Sequence, residues 1–306
     1  MIKHNNCDLH PASFRDPSGH IYFSDGVLLR QVNEIYKKNF DHFNDSGLCQ
    51  ELIAKELLIH HEVLDSPQII TSDSAYKILK PDVVSFISYP YEWCFSQLKD
   101  AALLTLHIQR LALEKNMSLK DASAYNVQFH HGKPIFIDTL SFELYRPGEP
   151  WVAYRQFCQH FLAPLLLMSY LDIRLGKLLR DNIDGIPLDL ASLLLPWSTK
   201  FNFSLQLHIH MHAKSQNKYA DKQLDVKKLK KVSKHSMLGL LDNLESLVGK
   251  LKWQPGESEW GDYYNFTNYT DDAMDTKRSL ISDFVESTDS KTAWDLGANN
   301  GEFSRI

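Results

Sequence analysis

The sequence predicts an α+β fold, and three observations carry that expectation. His20 to Arg30 alternates apolar and polar residues around an Asp25-Gly26 turn, the short-range signal of a β-hairpin. Phe95 to Lys115 repeats apolar residues at helical spacing. Residues 292–306, Thr-Ala-Trp-Asp-Leu-Gly-Ala-Asn-Asn-Gly-Glu-Phe-Ser-Arg-Ile, read as a strand, a glycine turn and the first turn of a helix.

The elements between these landmarks follow in order. After the first hairpin, Asn33 to Asp65 reads as a mixed helical stretch with Leu48, Leu52, Leu57 and Leu58 on its apolar side. Tyr76 to Lys80 and Val83 to Tyr89 read as strands separated by the Pro81-Asp82 break. The long helix from Phe95 sets Leu98, Ala102, Thr105, Leu106, Gln109 and Leu113 along one face. Ser118 to Asn126 is polar and loop-like. Val127 to Phe129 and Pro134 to Ile137 then flank a His131-Gly132-Lys133 turn as a second hairpin. Trp151 to about Leu251 is helical, with breaks expected at Pro164, Gly185-Ile-Pro187 and Pro196. The lysine-rich run from Lys222 to Lys234 reads as a solvated helix face or linker. Trp253 to Trp260, interrupted by Pro255 and Gly256, is the expected domain boundary. Thr270 then caps a helix carrying Met274, Leu280, Ile281, Phe284 and Val285. Trp93, Trp151 and Trp197 are expected in the core.

Composition bounds the function. At 306 residues, 43% hydrophobic and 23% charged, the chain is globular and long enough for two domains. A formal net charge of −5 gives no reason to expect nucleic-acid binding through phosphate attraction. Cys7, Cys49, Cys94 and Cys158 are scattered with no CxxC pair, which suits reduced thiols and a cytoplasmic location. The N-terminal residues lack the apolar core of a secretory signal. The most apolar run, Phe161 to Leu171, is interrupted by Pro164 and too short to span a bilayer, so no membrane association is expected. His208-Ile-His-Met-His212 shares a face only as a strand and has no nearby Cys or acidic partner. It reads as satisfied or surface histidines rather than a zinc site.

The first chemical constellation is Asp121, Asn126 and Asp138, the last at the end of an apolar strand. Phosphoryl transfer from ATP needs such a set: one carboxylate orients the attacking hydroxyl, while an amide oxygen and a second carboxylate hold magnesium against the phosphates. Asp121 also suits a simple turn cap. Asp121-Ala-Ser-Ala-Tyr-Asn126 followed by Ile135-Phe-Ile-Asp138 resembles the catalytic and metal-binding loops of protein-kinase-like folds, especially the aminoglycoside-phosphotransferase branch. The likeness covers roughly Gly19 to Glu143. It implies Asp121 as base, Asn126 and Asp138 as magnesium ligands, and Mg-ATP as cofactor. This sequence departs from the family in lacking a glycine-rich phosphate loop, and in Lys120 standing before Asp121. The phosphate-binding cation stays open among Lys77, Lys80 and Arg30. A kinase-like fold that binds a ligand without catalysis is the companion expectation.

The second constellation is Asp295-x-Gly297-x-x-x-Gly301. Its glycines allow a sharp turn after a strand and a close backbone approach to a ligand. Trp294 to Ser304 resembles motif I of class I S-adenosylmethionine (SAM)-dependent methyltransferases, with Asn299 in place of the central glycine. The resemblance implies that Asp295 stabilises the cationic methionine moiety and that Gly297, Asn299 and Gly301 line the SAM pocket. Ser88 to Ala102, Leu119 to Phe129, Ile137 to Glu143 and Tyr154 to Phe161 are similar to a bacterial family of class I SAM-dependent methyltransferases, some of them nodulation-protein-related. By that likeness residues 1–150 form a kinase-like α+β region. Residues 151–252 form a mainly α-helical region continuing it, and 253–306 a linker, a helix and the first strand of an incomplete Rossmann-like methyltransferase domain. The parent protein would transfer a methyl group from SAM to an unidentified acceptor. The chain itself would be inactive, because the ribose and adenine contacts come from later strands.

Overall fold

The computed structural model describes residues 7–11, 13, 16–64, 74–211, 232–254 and 267–306. The chain divides into two units, residues 1–253 and 254–306.

Turn chemistry and alternation build the first sheet. Strands β1 (Cys7–Leu9), β2 (Gly19–Ser24) and β3 (Val27–Asn33) form an antiparallel meander. The β2–β3 turn holds Asp25 and Gly26 at φ 49° and 79°. A two-residue hairpin needs this left-handed pair, and Gly adopts it without a Cβ penalty. Helices α1 (Lys37–Asp45) and α2 (Leu48–Ala54) follow, then β4 (His61–Leu64) and β5 (Ala75–Pro81). The sheet runs in the order β1-β2-β3-β5-β4 with every neighbour antiparallel. The stretch expected as helical to Asp65 therefore ends in a strand. His61 to Leu64 pairs with Pro81 to Ile78, a long-range partner that helical periodicity does not register. Val83 to Tyr89, expected as a strand, is irregular instead. Val83, Phe86 and Ile87 are exposed, so no apolar face holds the segment against a sheet.

Helix α3 (Phe95–Glu114) matches its expected span, and the predicted face of Leu98, Ala102, Thr105, Leu106, Gln109 and Leu113 is buried throughout. Two short antiparallel pairs follow. Strand β6 (Met117–Leu119) pairs with β9 (Phe142–Leu144), and β7 (Val127–His130) forms a hairpin with β8 (Lys133–Phe136). The second hairpin turns on His131 and Gly132 at φ 50° and 77°.

The remainder of the first unit is helical. Helix α4 (Tyr154–Phe157) passes through a π turn (Cys158–Leu162) into α5 (Ala163–Tyr170), whose residues 163–168 are buried. Pro164 starts α5 and breaks nothing. The wider i→i+5 turn just before it, closed by the Ala163 N–H on the Cys158 carbonyl, accommodates the proline ring within a continuous run. Breaks do occur near Pro187 and Pro196, between α6 (Leu178–Asp181), α7 (Leu188–Leu194) and α8 (Phe203–Leu205). Helix α9 (Lys234–Lys250) packs along α3, where Arg110 bridges Asp242 at 2.6 Å and Glu245 at 2.8 Å. Trp93 and Trp151 are buried as expected, but Trp197 is 68% exposed. It lies in a short 3-10 turn after Pro196, edge-on against Phe201, itself exposed.

His208 and His210 fall in a second π turn (Gln206–His210), not on a strand, and both are buried. His208 meets the Tyr154 hydroxyl at 2.6 Å and the Asn243 Oδ1 at 2.8 Å. His210 meets Ser192 Oγ at 2.8 Å and Thr199 Oγ1 at 3.1 Å. These rings are satisfied by hydrogen bonds, as buried polar groups must be. His212 and Lys222 to Lys231 lie outside the described residues, as do residues 255–260 of the expected boundary.

In the second unit, helix α10 (Asp271–Ser287) begins where Thr270 Oγ1 accepts the Ala273 N–H at 3.3 Å. Residues 292–296, expected as the first strand of a sheet, are not in strand conformation. A strand exists only through pairing, and the described residues of this unit contain no second strand to supply it. No described helix is long and apolar enough to cross a membrane.

Two measurements test this architecture. An ideal Cβ on Gly19 would lie 2.0 Å from the Gln31 carbonyl oxygen and 2.7 Å from Leu140 Cδ1, so neither backbone nor core can yield cheaply. Gly19→Ala should lower stability by roughly 1–3 kcal/mol in urea denaturation, and an unchanged midpoint would contradict the packing of β2. The second concerns His160, which is buried with Nδ1 unpartnered. Burial pulls its pKa down to about 4, against the opposing charge of Asp184. The unfolded chain therefore takes up this proton first, and stability falls as pH drops from the ordinary 6.5 towards 4. His160→Phe should remove up to about 3 kcal/mol of that acid sensitivity; equal pH profiles for the two proteins would refute it.

Candidate functional site

The β7–β8 hairpin places two of the three expected kinase-like residues side by side. Asn126 precedes β7 and Asp138 follows β8. The register that pairs Val127 with Phe136 continues as the Ile137 N–H on the Asn126 carbonyl at 2.8 Å. Ser141 joins them: its Oγ accepts from Asn126 Nδ2 at 3.2 Å and donates to an Asp138 carboxylate oxygen. The Leu140 N–H donates to the other oxygen of Asp138 at 3.2 Å.

Asp121 arrives from β6. The Lys120 N–H bonds the Ser141 carbonyl at 2.8 Å, fixing the chain just before Asp121 beside the hairpin. The Asp121 carboxylate accepts the Ser123 N–H at 2.9 Å, and Gln156 on α4 accepts the Ala122 N–H at 2.7 Å. Burial pushes the Asp121 carboxyl above the usual range, and the charge of Asp138 adds to this. The Ser123 N–H, the Gln156 side chain and Lys120 pull the other way. The structure thus brings Asp121, Asn126 and Asp138 to one place. Asp121 also plays the turn-capping part that its sequence context allows.

Among the three candidate cations, it is Arg30 on β3 that reaches this group, through an ion pair from Nη2 to Asp138 Oδ1. Lys80 instead faces Glu62 across β4 at 3.6 Å, and Lys77 lies over the Tyr76 ring at 5.9 Å. Burial pushes the Asp138 carboxyl up, but the Arg30 charge, the Ser141 hydroxyl and the Leu140 N–H outweigh it and hold the group below the ordinary carboxylate range. Lys120 closes the same end: its Nζ donates to Ser18 Oγ at 2.7 Å and pairs with Asp16 at 3.5 Å.

Beside the ion pair lies a cleft of about 500 Å³ between the five-stranded sheet and residues 81–87. Ile21, Leu28, Leu79, Val84 and Ile137 are among its aliphatic walls, and Arg30 and Thr139 are also among its lining residues. Arg30 Nε and Thr139 Oγ1 are buried without a hydrogen-bond partner, which is unusual for polar atoms in a folded protein. Gln128 fixes the rim, accepting the Ser88 N–H at 2.9 Å and donating to the Ser88 carbonyl at 3.0 Å. Thr139, Ser141, Gln128 and Gln156 were not singled out by spacing. All four do lie within the phrases Leu119 to Phe129, Ile137 to Glu143 and Tyr154 to Phe161 that carry the family resemblance. Among the described residues no group of three or more His, Cys, Asp or Glu side chains is placed to hold a metal ion.

In the second unit, Gly297, Asn299 and Gly301 all take left-handed φ, at 84°, 53° and 76°. Asn is among the few non-glycine residues that accept this readily. The Asp295 carboxylate accepts the Ser304 hydroxyl at 2.6 Å, closing the turn on itself. An ideal Cβ on Gly297 would meet no atom within 4 Å.

No family model matches the chain. A solved structure, that of vaccinia related kinase 3, aligns over 91% of this chain and 89% of that one, at 12% identity and a TM-score of 0.35, too low to argue from. Nodulation protein NoeA of Rhizobium meliloti (strain 1021) is 33% identical over 307 aligned positions, which cover 96% of this chain. The match takes in 62% of NoeA, so this chain, similar to that nodulation protein over nearly its whole length, spans less than two thirds of its curated relative.

Proposed function

We propose that this chain is the ligand-binding part of a SAM-dependent methyltransferase. In this reading the kinase-like first unit holds a small organic molecule in its cleft, and residues 292–306 form the opening of the donor site. The observation that carries it is the cleft itself: aliphatic walls, with the polar residues Arg30 and Thr139 among those that line it. Mostly apolar concavities with a few placed polar groups are the usual form of small-molecule sites. The length of the likeness to NoeA supports treating both units as parts of one protein.

The donor site rests on the turn at 297–301. Its three left-handed residues suit a backbone that must pass close to a ligand, and the open space at Gly297 leaves room for one. When bound, SAM supplies a sulfonium-activated methyl group. Asp295 would then balance the positive charge of the methionine portion, with Gly297, Asn299 and Gly301 against its backbone.

A second reading, phosphoryl transfer, draws on the convergence of Asp121, Asn126 and Asp138. A carboxyl raised by burial, as Asp121 is, suits a general base. The Arg30 contact to Asp138 places this reading second.

Thermal-shift measurements on residues 1–306, with adenosine as first probe, should show stabilisation that disappears in Leu28→Trp, which fills the cleft. Equal shifts in both proteins would show that the cleft is not the site. Calorimetry with SAM should give weak binding at best, because one turn without a paired sheet presents little of a donor pocket. Tight one-to-one binding would overturn the assignment of residues 292–306 as only the opening of that pocket.

A further inference from the structure

Kinase-like chemistry implies a magnesium ion on Asn126 and Asp138, and the donor set can be tested against that ion. Magnesium requires near-octahedral oxygen ligands with lone pairs directed at one point. Here Asp138 directs its lone pairs at three donors: the Arg30 guanidinium, the Leu140 N–H and the Ser141 hydroxyl. Asn126 turns its amide nitrogen, a donor, towards Ser141 Oγ. A divalent ion on Asp138 would have to displace the guanidinium and then remain within a few ångströms of its charge. The residues do not fit the metal.

We infer that the cleft holds its ligand without a divalent cation, the Arg30 guanidinium standing in the metal's place on Asp138. This rests on the reading of the cleft as a ligand site, and it narrows the ligand class. Arg30 is neutralised by Asp138, and Lys120 by Asp16. Asp121 adds a further carboxylate at the same end. Among the described residues, the cations named at this end are already paired with carboxylates, which suits it poorly to a polyphosphate chain. The walls favour a flat body with apolar faces, such as a nucleoside base or an aromatic alcohol, in a cleft that Arg30 and Thr139 also line.

The test uses the cation alone. Mn²⁺ binding to residues 1–306, followed by water-proton relaxation, should be the same for wild type and Asp138→Asn. A wild-type Mn²⁺ site missing from the folded Asp138→Asn protein would overturn the inference. Arg30→Gln should gain an Mn²⁺ site that Asp138→Asn removes again; a folded Arg30→Gln protein with no such site would overturn the role given to Arg30. If Arg30→Gln does not fold, the comparison of wild type with Asp138→Asn still decides. With ligand, the adenosine shift should be unchanged by EDTA and at least as large as that of ATP with magnesium. A shift seen only with ATP and magnesium, and lost in Asp138→Asn, would overturn it. Absence of every ligand shift would sink the cleft reading while the Mn²⁺ comparison still judges this one.

Discussion

The Arg30–Asp138 ion pair ties the sheet to the loop cluster on which the candidate site is built. Arg30 belongs to β3, in the middle of the five-stranded sheet, and Asp138 follows β8. Buried pairs rarely add much net stability, but losing one partner leaves an uncompensated charge at a cost of about 3–5 kcal/mol. The pair therefore matters as a constraint on position. It holds residues 138–141 where Leu140 packs against Gly19, and where Ser141 reaches Asn126. The open side of the same junction is the cleft.

Around this junction, glutamine side chains take the place of missing strand neighbours. Gln109 on α3 accepts the Leu119 N–H at 2.6 Å, Gln128 brackets the backbone of Ser88, and Gln156 takes the Ala122 N–H. An amide carries both donors and an acceptor, so it can satisfy a backbone group that no ladder reaches. Gln109 and Gln128 are almost fully buried, which leaves their hydrogen bonds little competition from water. The loop from Lys120 to Asn126 is thus anchored at its start by Gln109 on α3, which holds Leu119, and within it by Gln156 on α4, which holds Ala122. Side chains on such a supported loop can be placed accurately for ligand contact.

In the second unit the elements set by local chemistry are in place. The Thr270 cap, the helix it starts and the left-handed turn at 297–301 all follow from short-range chemistry. Trp294 and Leu296, expected on a strand, are 88% and 89% exposed and stand outside any strand.

Much of the first unit was legible from local pattern. The Asp25-Gly26 and His131-Gly132 turns, the buried face of α3 and the adjacency of Asn126 and Asp138 are all set by residues close in sequence. Turn residues determine hairpin register, and that register carries the two site residues with it. Tertiary structure alone decided which cation reaches Asp138. Lys77, Lys80 and Arg30 all sit on paired strands of one sheet, and only their places within it separate them. It also decided that His61 to Leu64 is a strand, that Pro164 lies within a helical run behind a π turn, and that Trp197 stays outside the core. Periodicity and turn chemistry report backbone preference over a few residues. The partner of a strand, a charge or a ring is chosen by packing between segments far apart in the chain, and composition along the chain does not encode that choice.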